Sequence, residues 1–268
     1  MCFLWSCISE KKQALPTIKH VVVIGFDGLS PDGLENANTP TFDKLIVEGS
    51  STMHARAVLP TSSSPNWASM IMGAGPEQHG ITSNAWEKNN FVLPAVTQGE
   101  DFIFPTIFRI VDTQIPNAEI GAIYHWDGFG RLFEKGAVDY DINPATEDET
   151  ASETVVIISA DHGGLGKGHG GESLGEVEIP FIVWGKSVKK NHTLKFPVYQ
   201  YDNAATVAFA LGIKTPMAWI GKPVKNAFEG FDETDAYITT RLFKEPQILP
   251  KAQLSKKAGG LFNEEAKV

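Results

Sequence analysis

One stretch constrains this chain more than any other: Thr154–Ser159 (TVVIIS) running straight into Ala160–Gly171 (ADHGGLGKGHGG). Six β-formers in a row without polar alternation predict a strand covered on both faces, the pattern of a parallel α/β sheet. Asp161 and His162 then fall at the carboxyl end of that strand, where open α/β sheets hold their ligands. The glycines that follow allow a sharp turn and close backbone approach. His169 is spaced so that it can fold back toward the same spot. Taken alone, the stretch reads equally as a glycine-rich turn carrying two solvated histidines. Two other stretches supply matching parts.

His20–Phe26 (HVVVIGF) is a second buried-strand candidate and ends on Asp27-Gly28. Thr39 reads as a helix cap with Pro40 at the first helical position, Phe42, Leu45 and Ile46 as the apolar stripe, and Gly49 as the stop. Strand, acid-bearing turn and helix make the opening unit of a doubly wound sheet. Met53–Leu59 is a weaker strand candidate. It leads into Pro60-Thr61-Ser62-Ser63-Ser64-Pro65-Asn66-Trp67, where Pro65 suits a first helical turn and Trp67, Met70 and Ile71 give a buried side before Gly73. The serines therefore sit at a helix N-terminus, where free N–H groups and the dipole favour an anion. A serine there can act as a nucleophile, or any of Ser62–Ser64 can simply cap the helix. Gly75–Gly80 reads as a loop.

These motifs, VIGFDG, PTSSSPNWASMIMGAGPEQHGITSNAW and ADHGGLGKGHGG, resemble in kind and order those of the alkaline phosphatase superfamily, and within it the type I phosphodiesterases and nucleotide pyrophosphatases. The resemblance covers most of Lys19–Val224. It implies an α/β fold with a doubly wound, mostly parallel sheet and helices on both faces. It also implies a metal-dependent hydrolase of phosphodiester or nucleotide pyrophosphate bonds acting through a phosphoserine. Asp27, Ser63, Asp161 and His162 correspond to the ligands of one zinc ion, with Ser63 also the nucleophile. His169 corresponds to a ligand of a second zinc, and Asn84 to the asparagine that holds a nonbridging phosphoryl oxygen. Carboxylate and imidazole donors suit zinc, and two zincs about 4 Å apart would clamp an in-line phosphoryl transfer.

The sequence departs from the resemblance in one place. Asn143–Thr150 reads as a helix start with acids in its first turn, yet after Ala151-Ser152-Glu153 the chain is already in TVVIIS. In similar enzymes this interval holds a helix, a strand and another helix, and the strand ends in the Asp and His that complete the second zinc site. The expectation is an internal deletion near residue 150, a sheet lacking one central strand with its flanking helices, and one well-formed zinc site. His125, Asp127, Asp139 and Asp141 could stand in for the second site, but nothing in their spacing favours it, and His125 and Asp127 read chiefly as structural or pocket-lining. An inactive or truncated pseudoenzyme of the same fold therefore competes with the active reading, as does a phosphomonoesterase or phosphonate hydrolase. A sulfatase is disfavoured because Trp67 stands where its signature needs arginine.

The rest of the chain is less specific. Pro105–Asp112 predicts an amphipathic helix, Ile120–Tyr124 a strand and Ile179–Trp184 (IPFIVW) another buried strand. Asp202 is expected to cap a helix through Leu211 that stops at Gly212. The expected organisation is an N-terminal segment over residues 1–18, a catalytic domain over 19–242 and a polar tail over 243–268. The two cysteines, Cys2 and Cys7, give no disulfide framework and no zinc spacing. Leu4-Trp5-Ser6-Cys7 looks like the end of a lipoprotein signal, which makes Cys7 a candidate lipid anchor and suggests an extracytoplasmic, envelope-attached protein; incidental cysteines in a disordered start read equally well. A formal net charge of −9 argues against a nucleic-acid-coating surface. No apolar run reaches the about 18 residues of a transmembrane helix. The expected partner is a small phosphodiester or nucleotide substrate.

Overall fold

The computed structural model describes residues 18–99, 101–143, 154–166 and 168–232. The N-terminal segment with Cys2 and Cys7, most of the 143–150 helix start and the 243–268 tail lie outside the described residues. In order, the elements are β1 His20–Phe26, α1 Pro31–Asn36, α2 Pro40–Glu48, β2 Ser50–Arg56, α3 Ser63–Met72, α4 Pro76–His79 and α5 Ile107–Gln114. Then come β3 Gly121–Ile123, β4 Tyr140–Ile142, β5 Thr154–Ala160, α6 Leu174–Val177, β6 Glu178–Gly185, β7 His192–Thr193 and α7 Asp202–Ala210.

The main sheet runs β1-β5-β6-β2-β7. β1 pairs with β5 in parallel and β2 with β7 in parallel, while β6 runs against both of its neighbours. Four of the five strands thus point the same way, the mostly parallel α/β sheet expected from the sequence. β3 and β4 form a separate parallel pair. Helices cover both faces, and β1 shows how. A Cβ on Gly25 would lie 2.2 Å from the Trp67 ring of α3, while the next residue, Phe26, packs against Phe42 of α2 with ring centroids 5.5 Å apart. Successive strand residues point to opposite faces, so α3 and α2 lie on opposite sides.

The two faces are unequally filled. Every residue of α3 is buried, as are all but one of α7, and with Val155, Ile157, Phe181 and Val183 they form the main core. α2 buries no residue completely. β5 is buried as expected, with only Val156 partly open. β1 corrects the expectation of a second buried strand: Val22, Val23, Ile24 and Phe26 remain 38–44% exposed. It is the edge of the sheet, paired only with β5 among the described residues, so one of its sides meets no neighbour.

Other boundaries shift for local reasons. β2 begins at Ser50 rather than Met53, because buried Ser50, Ser51 and Thr52 pair with Val183, Ile182 and Phe181. The Gly75–Gly80 loop contains a turn of helix, α4, ended by Gly80 at φ 77°. α5 starts two residues late because the Thr106 hydroxyl accepts from the Arg109 amide and caps it there. Asp202 is the first residue of α7 rather than its cap. Its carboxylate accepts from the Tyr199 and Lys222 amides instead, and burial pushes its pKa up to about 7.

Candidate metal centre and nucleophile

The β1–β5 register brings the first two acids together. Phe26 lies opposite Ala160, so one further step sets Asp27 beside Asp161 at the carboxyl ends of adjacent strands. Gly28 turns the chain at φ 66°, and its amide donates to Asp161 Oδ1 at 3.0 Å. The His162 amide donates to the same oxygen at 2.9 Å. These two bonds fix the Asp161 carboxylate and leave Oδ2 aimed at the His162 ring, 3.3 Å from Nε2. His162 Nδ1 donates to the Gly163 carbonyl at 2.7 Å, which puts the proton on Nδ1 and the lone pair on Nε2. Asp27 Oδ1 stands 3.7 Å from that nitrogen.

Two lone-pair atoms, Asp161 Oδ2 and His162 Nε2, are therefore buried face to face with no hydrogen-bond partner. Buried acceptors are rarely left so, because their desolvation is uncompensated. A cation satisfies both. Asp27, Asp161 and His162 offer ligand atoms all within 4.8 Å of one another, the one such group of three among the described residues. Burial pushes Asp161 up to about 6; the neighbouring His162 pulls it down and Asp27 pushes it up again. Asp27, 61% exposed at its side chain, supplies the solvent side. A mixed carboxylate–imidazole set with an imidazole whose second nitrogen is held by a carbonyl fits zinc.

Ser63 is the first residue of α3 and is 6% exposed. Ser62 occupies the cap position, but its hydroxyl makes no capping bond. The cap comes from Asn84, whose Oδ1 accepts from the Ser64 amide at 2.7 Å. Asn84 is thereby held at the N-terminus beside Ser63, with its amide NH2 on the opposite branch, while Arg131 donates to its backbone carbonyl. The sequence motif singled out Asn84 but not this capping bond.

Asn66, wholly buried, is a residue that sequence reasoning passed over. Its side chain accepts from the Val58 amide and donates to the carbonyls of Val58, Pro60 and Ser62, fixing the loop that carries Ser63. Asn one residue past a helical proline was the available signal. Gln200 was likewise missed. Its Nε2 donates to the carbonyl of Ala160, just before Asp161, and to that of Asn66.

His169 stacks on His162 with ring centroids 4.0 Å apart, so the glycine-rich turn does fold back as expected. It joins no group of three possible ligands among the described residues. Nor do the stand-ins. Asp139 accepts from the Ile120 amide, Asp141 binds Tyr124 and Lys135, and Asp127 accepts from Asn143. No helix among the described residues is long and apolar enough to cross a membrane.

Residues 21–107 match the family model of type I phosphodiesterase / nucleotide pyrophosphatase. Human bis(5'-adenosyl)-triphosphatase ENPP4 is 32% identical over 77 residues, which are 29% of this chain and 17% of that protein. Among solved structures, BT1596, a 2-O GAG sulfatase, aligns at a TM-score of 0.62 and 13% identity over 84% of this chain and 76% of its own. Human ENPP5 aligns at 0.58 and 12% over 79% of this chain and 100% of its own, and a variant of the alkaline phosphatase PafA at 0.59 and 10%, over 80% and 100%. Residues 21–107 are thus similar to the type I phosphodiesterase / nucleotide pyrophosphatase family, and the chain as a whole shares the fold of these sulfatase, pyrophosphatase and alkaline phosphatase structures.

Proposed function

We propose that this protein is a zinc-dependent hydrolase of phosphodiester or nucleotide pyrophosphate bonds that uses Ser63 as its nucleophile. The observation that carries the reading is the buried, partnerless pair of Asp161 Oδ2 and His162 Nε2 facing Asp27. The family match over residues 21–107 supports the hydrolase class, and the curated relative's name, a bis(5'-adenosyl)-triphosphatase, supports a nucleotide substrate. An extracytoplasmic setting goes with the ectonucleotide pyrophosphatase likeness.

Asp27, Asp161 and His162 would hold the zinc, with Ser63 Oγ as the fourth donor. The ion would lower the pKa of the Ser63 hydroxyl and offset charge on the phosphoryl oxygens. Ser63 Oγ attacks phosphorus in line; its O–P bond forms as the bond to the leaving oxygen breaks, and the serine proton is lost to solvent. Water then attacks the phosphorus of this serine ester, which still carries the rest of the substrate; the Ser63 O–P bond breaks, the phosphomonoester product leaves and the hydroxyl is restored. The α3 N-terminus, through the helix dipole, favours the anionic phosphoryl group throughout. Asn84, anchored through Oδ1, has its NH2 group as a donor to a nonbridging oxygen.

The test is turnover of bis(4-nitrophenyl) phosphate by zinc-loaded protein, together with phosphate trapping on Ser63. Zinc-dependent turnover that disappears in Ser63→Ala is the expected result. Turnover that survives in Ser63→Ala removes the assignment.

A specific observation favours a second reading, an inactive or very slow relative. Among the described residues His169 stands outside any ligand group, and no strand pairs with one edge of β1. Tight zinc binding without turnover would select it.

A further inference from the structure

Thr61 is two residues before Ser63 and completely buried. Its hydroxyl donates to the Gly171 carbonyl at 2.7 Å and accepts from the Gly170 amide at 3.1 Å. Its own carbonyl lies 3.3 Å from His169 Nδ1. One residue thus meets three consecutive residues of the glycine-rich turn, 108 to 110 positions away in sequence. A carbonyl only accepts, so His169 carries its proton on Nδ1 and presents the lone pair on Nε2, as His162 does through Gly163.

Thr61 is itself held firmly. Asn66 Nδ2 donates to the carbonyls on either side of it, Pro60 and Ser62. From the other direction, the Glu176 carboxylate accepts from the Gly171 and Ser173 amides and the Ser173 hydroxyl, closing the far side of the turn. Without the Thr61 hydroxyl, Gly170 at φ 99° would lose the acceptor of its amide, and nothing lies within 4 Å of its Cβ position to hold it by packing.

We infer that Thr61 is a positioning residue that locks the His169 turn to the nucleophile loop, fixing the His169 tautomer and its stacking against His162. The role rests on the zinc-hydrolase reading, and zinc is the probe. His169 is no ligand of that zinc and reaches it through its stack on His162, so a loosened His169 frees the His162 ring that would hold the ion; outer groups that orient metal-binding histidines typically contribute 10–100-fold in metal affinity. Zinc affinity is measured by chelator competition in wild type, Thr61→Val, Thr61→Ser, His169→Ala and the Thr61→Val/His169→Ala double variant.

Thr61→Val should weaken zinc binding by about tenfold, the lower end of that range, and Thr61→Ser should restore it. If Thr61 acts through His169, Thr61→Val should add nothing in the His169→Ala background. Losses that add, or no loss in Thr61→Val, overturn the inference. No zinc binding by wild type overturns the metal reading instead, which keeps the two failures distinct. A measurement on metal-free wild type covers the case in which Thr61→Val does not fold. The Gly170 amide should exchange with solvent at least tenfold more slowly than the Gly166 amide, for which no hydrogen bond to a side chain is present. Equal exchange at both glycines refutes the Thr61 lock.

Discussion

His169 lies flat against His162, with ring centroids 4.0 Å apart and planes 16° from parallel. Both rings give Nδ1 to a backbone carbonyl, Thr61 and Gly163 respectively, and so offer Nε2 as the free donor nitrogen. The two histidines belong to one glycine-rich turn and share the tautomer that a metal-binding imidazole needs, His169 through a carbonyl 108 positions away.

Zinc stoichiometry follows from this arrangement. Zinc-equilibrated protein should hold one ion tightly per chain, and Asp161→Asn should lose it. Because the ion binds only the folded state, free zinc at 100 times its dissociation constant should stabilise the protein by about 2.7 kcal/mol. Metal analysis and thermal melts with and without chelator read both. Two tightly bound ions per chain would show that residues outside the Asp27–Asp161–His162 group complete a second site.

The serines should separate sharply. Ser63→Ala should lower diester hydrolysis by orders of magnitude, while Ser62→Ala, whose hydroxyl makes no capping bond, should be mild in both rate and stability. Steady-state rates and melting temperatures of the two variants are the measurement. Equal losses would contradict the role of Ser63.

Asn84 caps the Ser64 amide and, in the proposed mechanism, also donates to a phosphoryl oxygen; substitution can divide the two. Asn84→Ala should lose the cap on the Ser64 amide, about 1 kcal/mol of stability, and the phosphoryl donor, about 3 kcal/mol of transition-state stabilisation. Asn84→Asp keeps an acceptor for the cap but has no donor. It should melt close to wild type and still be slow. A defect confined to substrate affinity would make Asn84 a pocket-lining residue.

Buried His79 sets an acid limit on stability. Burial lowers its pKa from 6.5 to about 3; Nδ1 accepts from the Ile81 amide and Nε2 pairs with Ser69, so the folded state holds it neutral. The unfolded chain takes up a proton below pH 6.5 that the folded one refuses. This contribution to stability is present above pH 6.5 and is lost as pH falls toward 3. Asp202 runs the other way: its raised folded pKa of about 7 makes its contribution largest below its unfolded value of 3.8 and loses it as pH rises through 7. Chemical denaturation between pH 7 and 5 should show a smaller acid loss in His79→Gln than in wild type. An unchanged pH slope would refute the His79 contribution.

The bare β1 edge should make the chain prone to association. Among the described residues no strand pairs with the outer edge of β1, where Val22, Val23, Ile24 and Phe26 expose apolar surface, the arrangement that edge strands usually avoid with charge. Sedimentation over a range of concentrations should show self-association that Val23→Lys reduces. A monomer at all concentrations, unaffected by that substitution, would show the edge to be protected.

The strands β1 and β5, the acids at their ends and the serine-bearing helix start were legible in the sequence because they depend on local rules. An unbroken apolar run makes a buried parallel strand, proline and small polar residues mark a helix start, and the family's motifs sit at these junctions. The burial of β1 was misjudged for the same reason: HVVVIGF has the composition of a central strand, and only its place at the sheet's edge leaves it exposed. Register, loop convergence and free lone pairs belong to the tertiary structure alone. No sequence rule sets Asp27 beside Asp161; the pairing of Phe26 with Ala160 does. No spacing announces that Thr61 would grip residues 169–171 or that Asn84 would cap Ser64, since these bonds span 20 to 110 positions and exist only once the sheet has aligned the loops at one end. The sequence determined which chemical groups the chain carries and which local elements hold them. The packing of those elements decided which groups meet, because hydrogen-bond and metal-ligand geometry act over a few ångströms in space and take no account of distance along the chain.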